Sequence, residues 1–296
     1  MKRRRFLAKA SATALSPLAF PAVVRCAAPN SKLQVASIGV ARMGGNTMRS
    51  VSTHGKVQIV ALCDVDERHL AQGAREFPKA RRFRDWRDLL ANHADQFDAI
   101  TIGTPDHMHA PMAVLALRAR KHVYLQKPMA PTVHECRVIA REAAKAGVVT
   151  QLGNQGRSSI ESRLMIELLR TKAIGPIKEV ILWENKPLNW WPANTNLRKR
   201  SDPIPTGLDW DAWLGVRDAR PYHDSTYHPQ FWRAWRDFGV GELGDMGCHH
   251  FDSTVDGLNL APPSASARPP RASPAKASGR SSAGWSSNSA DKPPTT

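Results

Sequence analysis

Leu33-Gln34-Val35-Ala36-Ser37-Ile38-Gly39-Val40-Ala41-Arg42-Met43-Gly44 is an apolar run that empties into a glycine-bounded turn, and the residues after it suit a helix. Strand, glycine turn and helix in that order open a doubly wound α/β sheet. Gly39 allows the tight turn, and Gly44 lets the helix pack closely on the strand. Ala41 stands where a glycine normally lets the backbone approach a pyrophosphate, so the loop alone is a weak signal that a plain strand–turn–helix would also fit. Asp64 strengthens it. This residue ends a second apolar run, residues 57–63, twenty positions after Gly44. A carboxylate there accepts hydrogen bonds from adenosine ribose hydroxyls and repels a 2′-phosphate. The pattern predicts a dinucleotide site that prefers NAD, with Arg42 and Arg68 leaving NADP open.

Further strands are expected at residues 99–103, 123–125 and 148–152, with helical spacing between them, as at residues 135–146. Such alternation predicts a Rossmann-type parallel sheet with helices on both faces over residues 32–153. The run at 123–125 leads into Gln126-Lys127-Pro128, and proline cannot continue a ladder. Lys127 therefore falls at the carboxyl end of a strand, where open α/β sheets bind ligands. A lysine there is placed to exchange a proton with a ligand, although a solvated strand-end lysine is the plainer reading.

The ends of the chain differ from its body. Residues 1–28 run from Lys2-Arg3-Arg4-Arg5-Phe6-Leu7 through small apolar residues to Cys26-Ala27-Ala28. This is the layout of a twin-arginine export signal, so the working protein is expected in the periplasm or outside the cell, without a membrane anchor. The formal net charge is +16, but residues 1–28 hold +6 of it and residues 262–296 hold +4. The remaining +6 is spread over the body without an aromatic-interleaved basic stripe, which argues against nucleic-acid binding. Cys63, Cys136 and Cys248 remain once Cys26 leaves with the signal, and no C-x-x-C pair occurs. A disulfide framework is not expected.

Residues 154–261 read as a second, α+β region. A helix is expected at residues 157–173 and a strand at 180–183. Seven of the nine tryptophans lie between Trp183 and Trp235. Aromatic faces stack on sugar C–H faces while polar neighbours read hydroxyls, which makes Trp191, Trp232 and Arg233 candidate ligand contacts. Trp210 and Trp213 look like packing residues of a short helix.

Glycine loop, Asp64, Thr104-Pro105-x-His107-x-His109 and Gln126-Lys127-Pro128, followed by Gly244-Asp245-Met246-Gly247-Cys248-His249-His250, resemble the Gfo/Idh/MocA family. The likeness covers roughly residues 32–260. It implies hydride transfer between nicotinamide and a hydroxyl carbon of a sugar or polyol. By that resemblance Thr104 and Pro105 line the nicotinamide side, and Lys127 contacts the reacting hydroxyl. Gln126 stands where the family typically has glutamate. The expected cofactor set is Gly39, Ala41, Arg42, Met43, Gly44, Asp64, Thr104, Pro105, His107, His109, Gln126, Lys127 and Pro128. Asp245 and His249, four residues apart, share a helix face. The histidine would exchange the hydroxyl proton, while Asp245 orients it or binds a sugar hydroxyl. Asn154 and His250 complete the expected substrate contacts. Ordinary capping at a helix start is the plainer reading of the cluster. A metal held by Asp245, Cys248, His249 and His250 lacks further ligand spacing, and none is expected.

Two other functions fit the same residues: a glycosidase or lyase that uses bound NAD transiently, and an inactive product that only binds nucleotide. The second arises because residues 262–296 contain no Leu, Ile, Val or Phe. Such a tail cannot bury enough apolar surface to fold. The substrate domain is therefore expected to be incomplete, through truncation or a frameshift, with an uncovered apolar face. A complete sheet would make a homo-oligomer possible.

Overall fold

The computed structural model describes residues 32–184, 201–261 and the pair 281–282. Trp191 and the signal region lie outside the described residues, as does the tail apart from that pair.

Six strands form one parallel sheet: β1 Leu33–Ile38, β2 Val57–Cys63, β3 Arg81–Phe83, β4 Ala99–Ile102, β5 His122–Gln126 and β6 Thr150–Gly153. Their order is β3-β2-β1-β4-β5-β6, so the direction of winding reverses between β1 and β4. Strand alternation sends Ala36 and Ile38 to one face and Val35 and Ser37 to the other. Trp86, Leu89, Leu90 and Met112 cover the first face, and Met48 and Leu70 the second. Buried Ser37 accepts a 2.9 Å bond from Thr101 on the neighbouring strand. The helices of this region are α1 Arg42–Ser52, α2 Glu67–Glu76, α3 Trp86–Asn92, α4 His109–Arg118 and α5 Val133–Ala146. Thr132 and Glu135 close a capping box that starts α5. The sequence pattern misses β3, because Arg81-Arg82-Phe83 offers one buried residue and no apolar run.

Residues beyond β6 form α6 Ile160–Arg170, α7 Trp210–Leu214 and α8 Gly241–Leu258. The expected strand at residues 180–183 shrinks to β7 Trp183–Glu184, paired antiparallel with β8 Ser281–Ser282. Helices α6 and α8 are joined by Arg157 and Arg170, which both reach Asp256, and by Arg157 to Asp252 at 2.8 Å. Of the apolar positions on α6 only Ile166 is buried, while Ile160, Leu164 and Leu168 are exposed. Trp210 and Trp213 stack at 4.7 Å inside a cluster with Tyr222, Tyr227, Trp232 and Phe238, so their expected packing role holds.

Candidate active site

Three glycines shape the nucleotide end. A Cβ on Gly39 would fall 2.7 Å from Gly103 O, one on Gly44 2.0 Å from Gly39 O, and one on Gly103 2.4 Å from the Gly44 Cα. Backbone meets backbone there, and no larger residue fits. Ala41 costs little, because its backbone is extended (φ −108°, ψ 168°), a conformation any residue adopts. The left-handed turn falls instead on Arg42, at φ 48°. Asp64 ends β2 with its Oδ2 accepting from Val40 N at 3.0 Å and its Oδ1 from Asp66 N at 3.0 Å. One carboxylate thus fixes the glycine loop from the strand beside it. The cradle that a Cβ would fill and the carboxylate at the strand end both fit an adenine dinucleotide.

A cavity of about 530 Å³ joins this end to residues of the second region. Of the expected residues, Gly39, Ala41, Arg42, Met43, Asp64, Thr104, Pro105, Gln126 and Lys127 line it, together with Trp232, Arg233, Asp245 and His249. Lys127 crosses from β5 to α8, its Nζ donating to Asp245 Oδ1 at 2.7 Å and to Asp245 O at 2.8 Å. Both side chains are about nine-tenths buried. Asp245 is thus the partner of the lysine, and Arg233 approaches the same oxygen at 3.8 Å. The Arg233 guanidinium lies 4.2 Å over the Trp232 ring, and burial lowers its pKa. His249 donates Nδ1–H to Gln155 O at 3.1 Å, which assigns the basic lone pair to Nε2.

Six expected contacts are placed elsewhere, and each has a structural task. His107 leaves the cavity and packs between Trp213 and Phe238, its Nε2 on Trp213 O at 3.1 Å. Burial pushes this imidazole down to about 4, so it stays neutral. His109 sits beneath the lining with Nδ1 2.7 Å from Pro128 O and Nε2 2.9 Å from Thr104 O. It braces the two loops that carry Thr104 and Lys127, and the Pro128 carbonyl is used in that brace. Asn154 donates to Cys248 O at 3.0 Å, and His250 pairs with Glu184 at 2.7 Å. Gly44 is covered by the loop that it packs against, as its packing role requires.

Asp106, unmarked in the sequence reading, lines the cavity at 3% exposure. Burial raises its carboxyl to about 7, opposed by Arg233, helped by Asp245, and opposed again by Lys127 and the Val240 N–H. It follows Pro105 at a strand end, and that position was the only signal available in the sequence. At the adenosine end, Asp66, His69 and His228 bring three ligand atoms within 4.8 Å of one another. The Asp66 carboxylate already receives the Arg68 fork at 2.7 and 3.0 Å and His228 Nε2 at 3.0 Å. A cation would have to displace the guanidinium. Cys63, Cys136 and Cys248 are all unbridged.

Two profiles of one family match the chain: its NAD-binding Rossmann fold over residues 33–154 and its C-terminal alpha/beta domain over residues 165–258. The chain belongs to the Gfo/Idh/MocA oxidoreductase family. Its first domain is an NAD-binding domain. The chain is similar to a glycosyl hydrolase family 109 protein of Shewanella pealeana, at 28% identity over 184 residues, covering 58% of this chain and 39% of that protein. It is 26% identical over 223 residues to the alpha-N-acetylgalactosaminidase of Shewanella oneidensis, covering 67% and 48%. The matches thus span less than half the length of these two relatives. The scyllo-inositol dehydrogenase from Lactobacillus casei, solved with NAD(H) and scyllo-inositol, superposes with a TM-score of 0.46 at 22% identity, covering 49% of this chain and 43% of that one.

Proposed function

We propose that this Gfo/Idh/MocA protein transfers hydride between NAD and a hydroxyl-bearing carbon of a sugar or polyol. The observation that carries the reading is the Lys127–Asp245 pair, set in the same cavity as the glycine loop and His249. NAD, when bound, supplies the hydride acceptor. Lys127, held from two directions by Asp245, offers N–H bonds to the substrate oxygen and stabilises negative charge on it. His249 Nε2 takes the hydroxyl proton as the carbon–oxygen double bond forms, and Gln155 O stabilises the imidazolium. Hydroxyl carbon is oxidised, nicotinamide is reduced, and one proton leaves through His249. Asp64 supports NAD over NADP by the charge that a 2′-phosphate would meet. The test is NADH formation by the purified chain across a panel of hexoses, inositols and sugar acids. No reduction with any of them sinks the reading.

The similarity to proteins named as family 109 glycoside hydrolases favours one other outcome. There hydride would leave a ring carbon, the neighbouring glycosidic bond would break by elimination, and hydride would return after water adds. Glycoside release that requires NAD without net NADH selects this version. Export by the twin-arginine route is the companion proposal, supported by Arg3-Arg4-Arg5-Phe6-Leu7. Replacing the three arginines by lysine should hold the protein in the cytoplasm, and unchanged export would overturn it.

A further inference from the structure

A line of hydrogen bonds runs from the glycine-loop helix to His249. Gln126 Nε2 donates to Thr47 Oγ1 on α1 at 2.6 Å. Gln155 Nε2 donates to Gln126 Oε1 at 3.0 Å. Gln155 O accepts His249 Nδ1–H at 3.1 Å. Beside it, Asn154 Nδ2 donates to Cys248 O at 3.0 Å, so residues 154 and 155 are strapped to α8 at two adjacent points. Thr47 and Gln126 are buried, and Gln126, Gln155 and His249 all line the cavity.

We propose that Gln126 and Gln155 form an amide relay that positions His249, fixing its Nδ1–H tautomer and coupling its place to the nucleotide-binding helix. The relay rests on the hydride-transfer reading for its purpose, but its geometry stands apart from it. Gln126 and Gln155 are positioning residues, acting on the substrate through His249. The Gln155 carbonyl can hold the imidazole only while residues 154–156 stay against α8, and the Gln155 side chain anchors that segment to β5. Through Thr47 the same anchor reaches the helix that follows the glycine loop. A dinucleotide seated on that loop therefore stiffens the frame from which the proton-handling nitrogen is presented.

The chemistry of two facing amides gives the relay a signature that ordinary packing lacks. Glutamate at 126 would still be satisfied, accepting from Gln155 Nε2 and from a rotated Thr47 hydroxyl. Glutamate at 155 would also be satisfied, because the Gln126 amide can flip, donating Nε2–H to it and accepting from Thr47 with Oε1. Two glutamates together would face each other without a proton between them. Each single change is tolerated and the pair is not.

The test is nitrogen-15 NMR of histidine-labelled full chain saturated with NAD, with the His249 signal assigned by its loss in His249→Asn. Wild type, Gln126→Glu and Gln155→Glu should show the proton on Nδ1. The double variant, and Gln155→Leu, which cuts the line without adding charge, should show mixed tautomers. In sugar-dependent NADH formation, the double variant should lose about tenfold more kcat than the two single losses combined, with KM less affected. A wild-type proton on Nε2 overturns the proposal even if the double variant fails to fold. So does a double variant whose tautomer is unchanged, or whose kcat loss is only the combined single losses. If no sugar is turned over, the hydride-transfer reading falls while the tautomer measurement still decides the relay.

Discussion

The glycine-loop wall and the α8 wall of the cavity hold their functional atoms by different means. On the first, Gly39, Gly44 and Gly103 touch backbone to backbone, and Asp64 is bonded to main-chain N–H groups of its own region. On the second, Asp245 is held by a lysine from β5, and His249 by a carbonyl just beyond β6. A wall made of backbone follows from local sequence and tolerates no added volume. A wall made of long-range side-chain bonds is invisible locally, and its weak point is charge. The two should therefore fail in different ways.

The largest effect is expected at the bridge between them. Lys127→Met removes the proposed N–H donor to substrate and the ammonium that donates to buried Asp245 Oδ1 at 2.7 Å. Activity should fall about a thousandfold. Stability should fall by roughly 3 kcal/mol, because the carboxylate of a buried pair loses the ammonium that binds it. NADH formation and urea unfolding measure the two. A variant that keeps stability but loses activity would mean that the pair serves chemistry alone.

Next comes Gly44→Ala. Alanine in a helix is worth up to about 1 kcal/mol over glycine. Here its methyl would meet Gly39 O at 2.0 Å, and a backbone oxygen cannot swing aside as a flexible side chain does. The clash should win, costing roughly 2–3 kcal/mol net and weakening NAD in a titration. Gly55→Ala, with nothing within 4 Å of the new carbon, is the control and should change neither. Equal behaviour of the two would break the backbone-wall account.

The same contrast explains what could be read in advance. Strands β1, β2, β4 and β5 carry buried apolar residues, and each is legible in one stretch of sequence. β6 is legible from the Val148-Val149 start of its run, although Thr150 and Gln151 are exposed. β3 is not, because its pairing with β2 is decided by neighbours and not by its own three residues. Lys127 and Asp245 were both legible as candidates, but not as partners, since they lie 118 residues apart. His107 and His109 misled for a related reason. A histidine near a strand end suggests a ligand, and only packing shows that Trp213, Phe238 and two loop carbonyls claim these rings.

Asp106 sharpens the comparison on the charge-sensitive wall. Its carboxyl is raised to about 7, chiefly by burial, against an ordinary value near 4. An acid whose folded pKa is raised binds more protons in the native state than in the unfolded one between those two values. Stability is then greatest below the unfolded value and declines as pH rises towards the folded one. From pH 5 to 8 wild type should lose roughly 2 kcal/mol relative to Asp106→Asn, whose amide keeps the shape and does not titrate. Urea unfolding at both pH values reads the difference. The same ionisation adds a second carboxylate beside Lys127, Arg233 and Asp245, so the rate profile of wild type should carry a step near neutrality that Asp106→Asn lacks. Parallel stability curves for the two proteins would place the sensitive charge elsewhere. The step surviving in Asp106→Asn would rule out this carboxyl as its source.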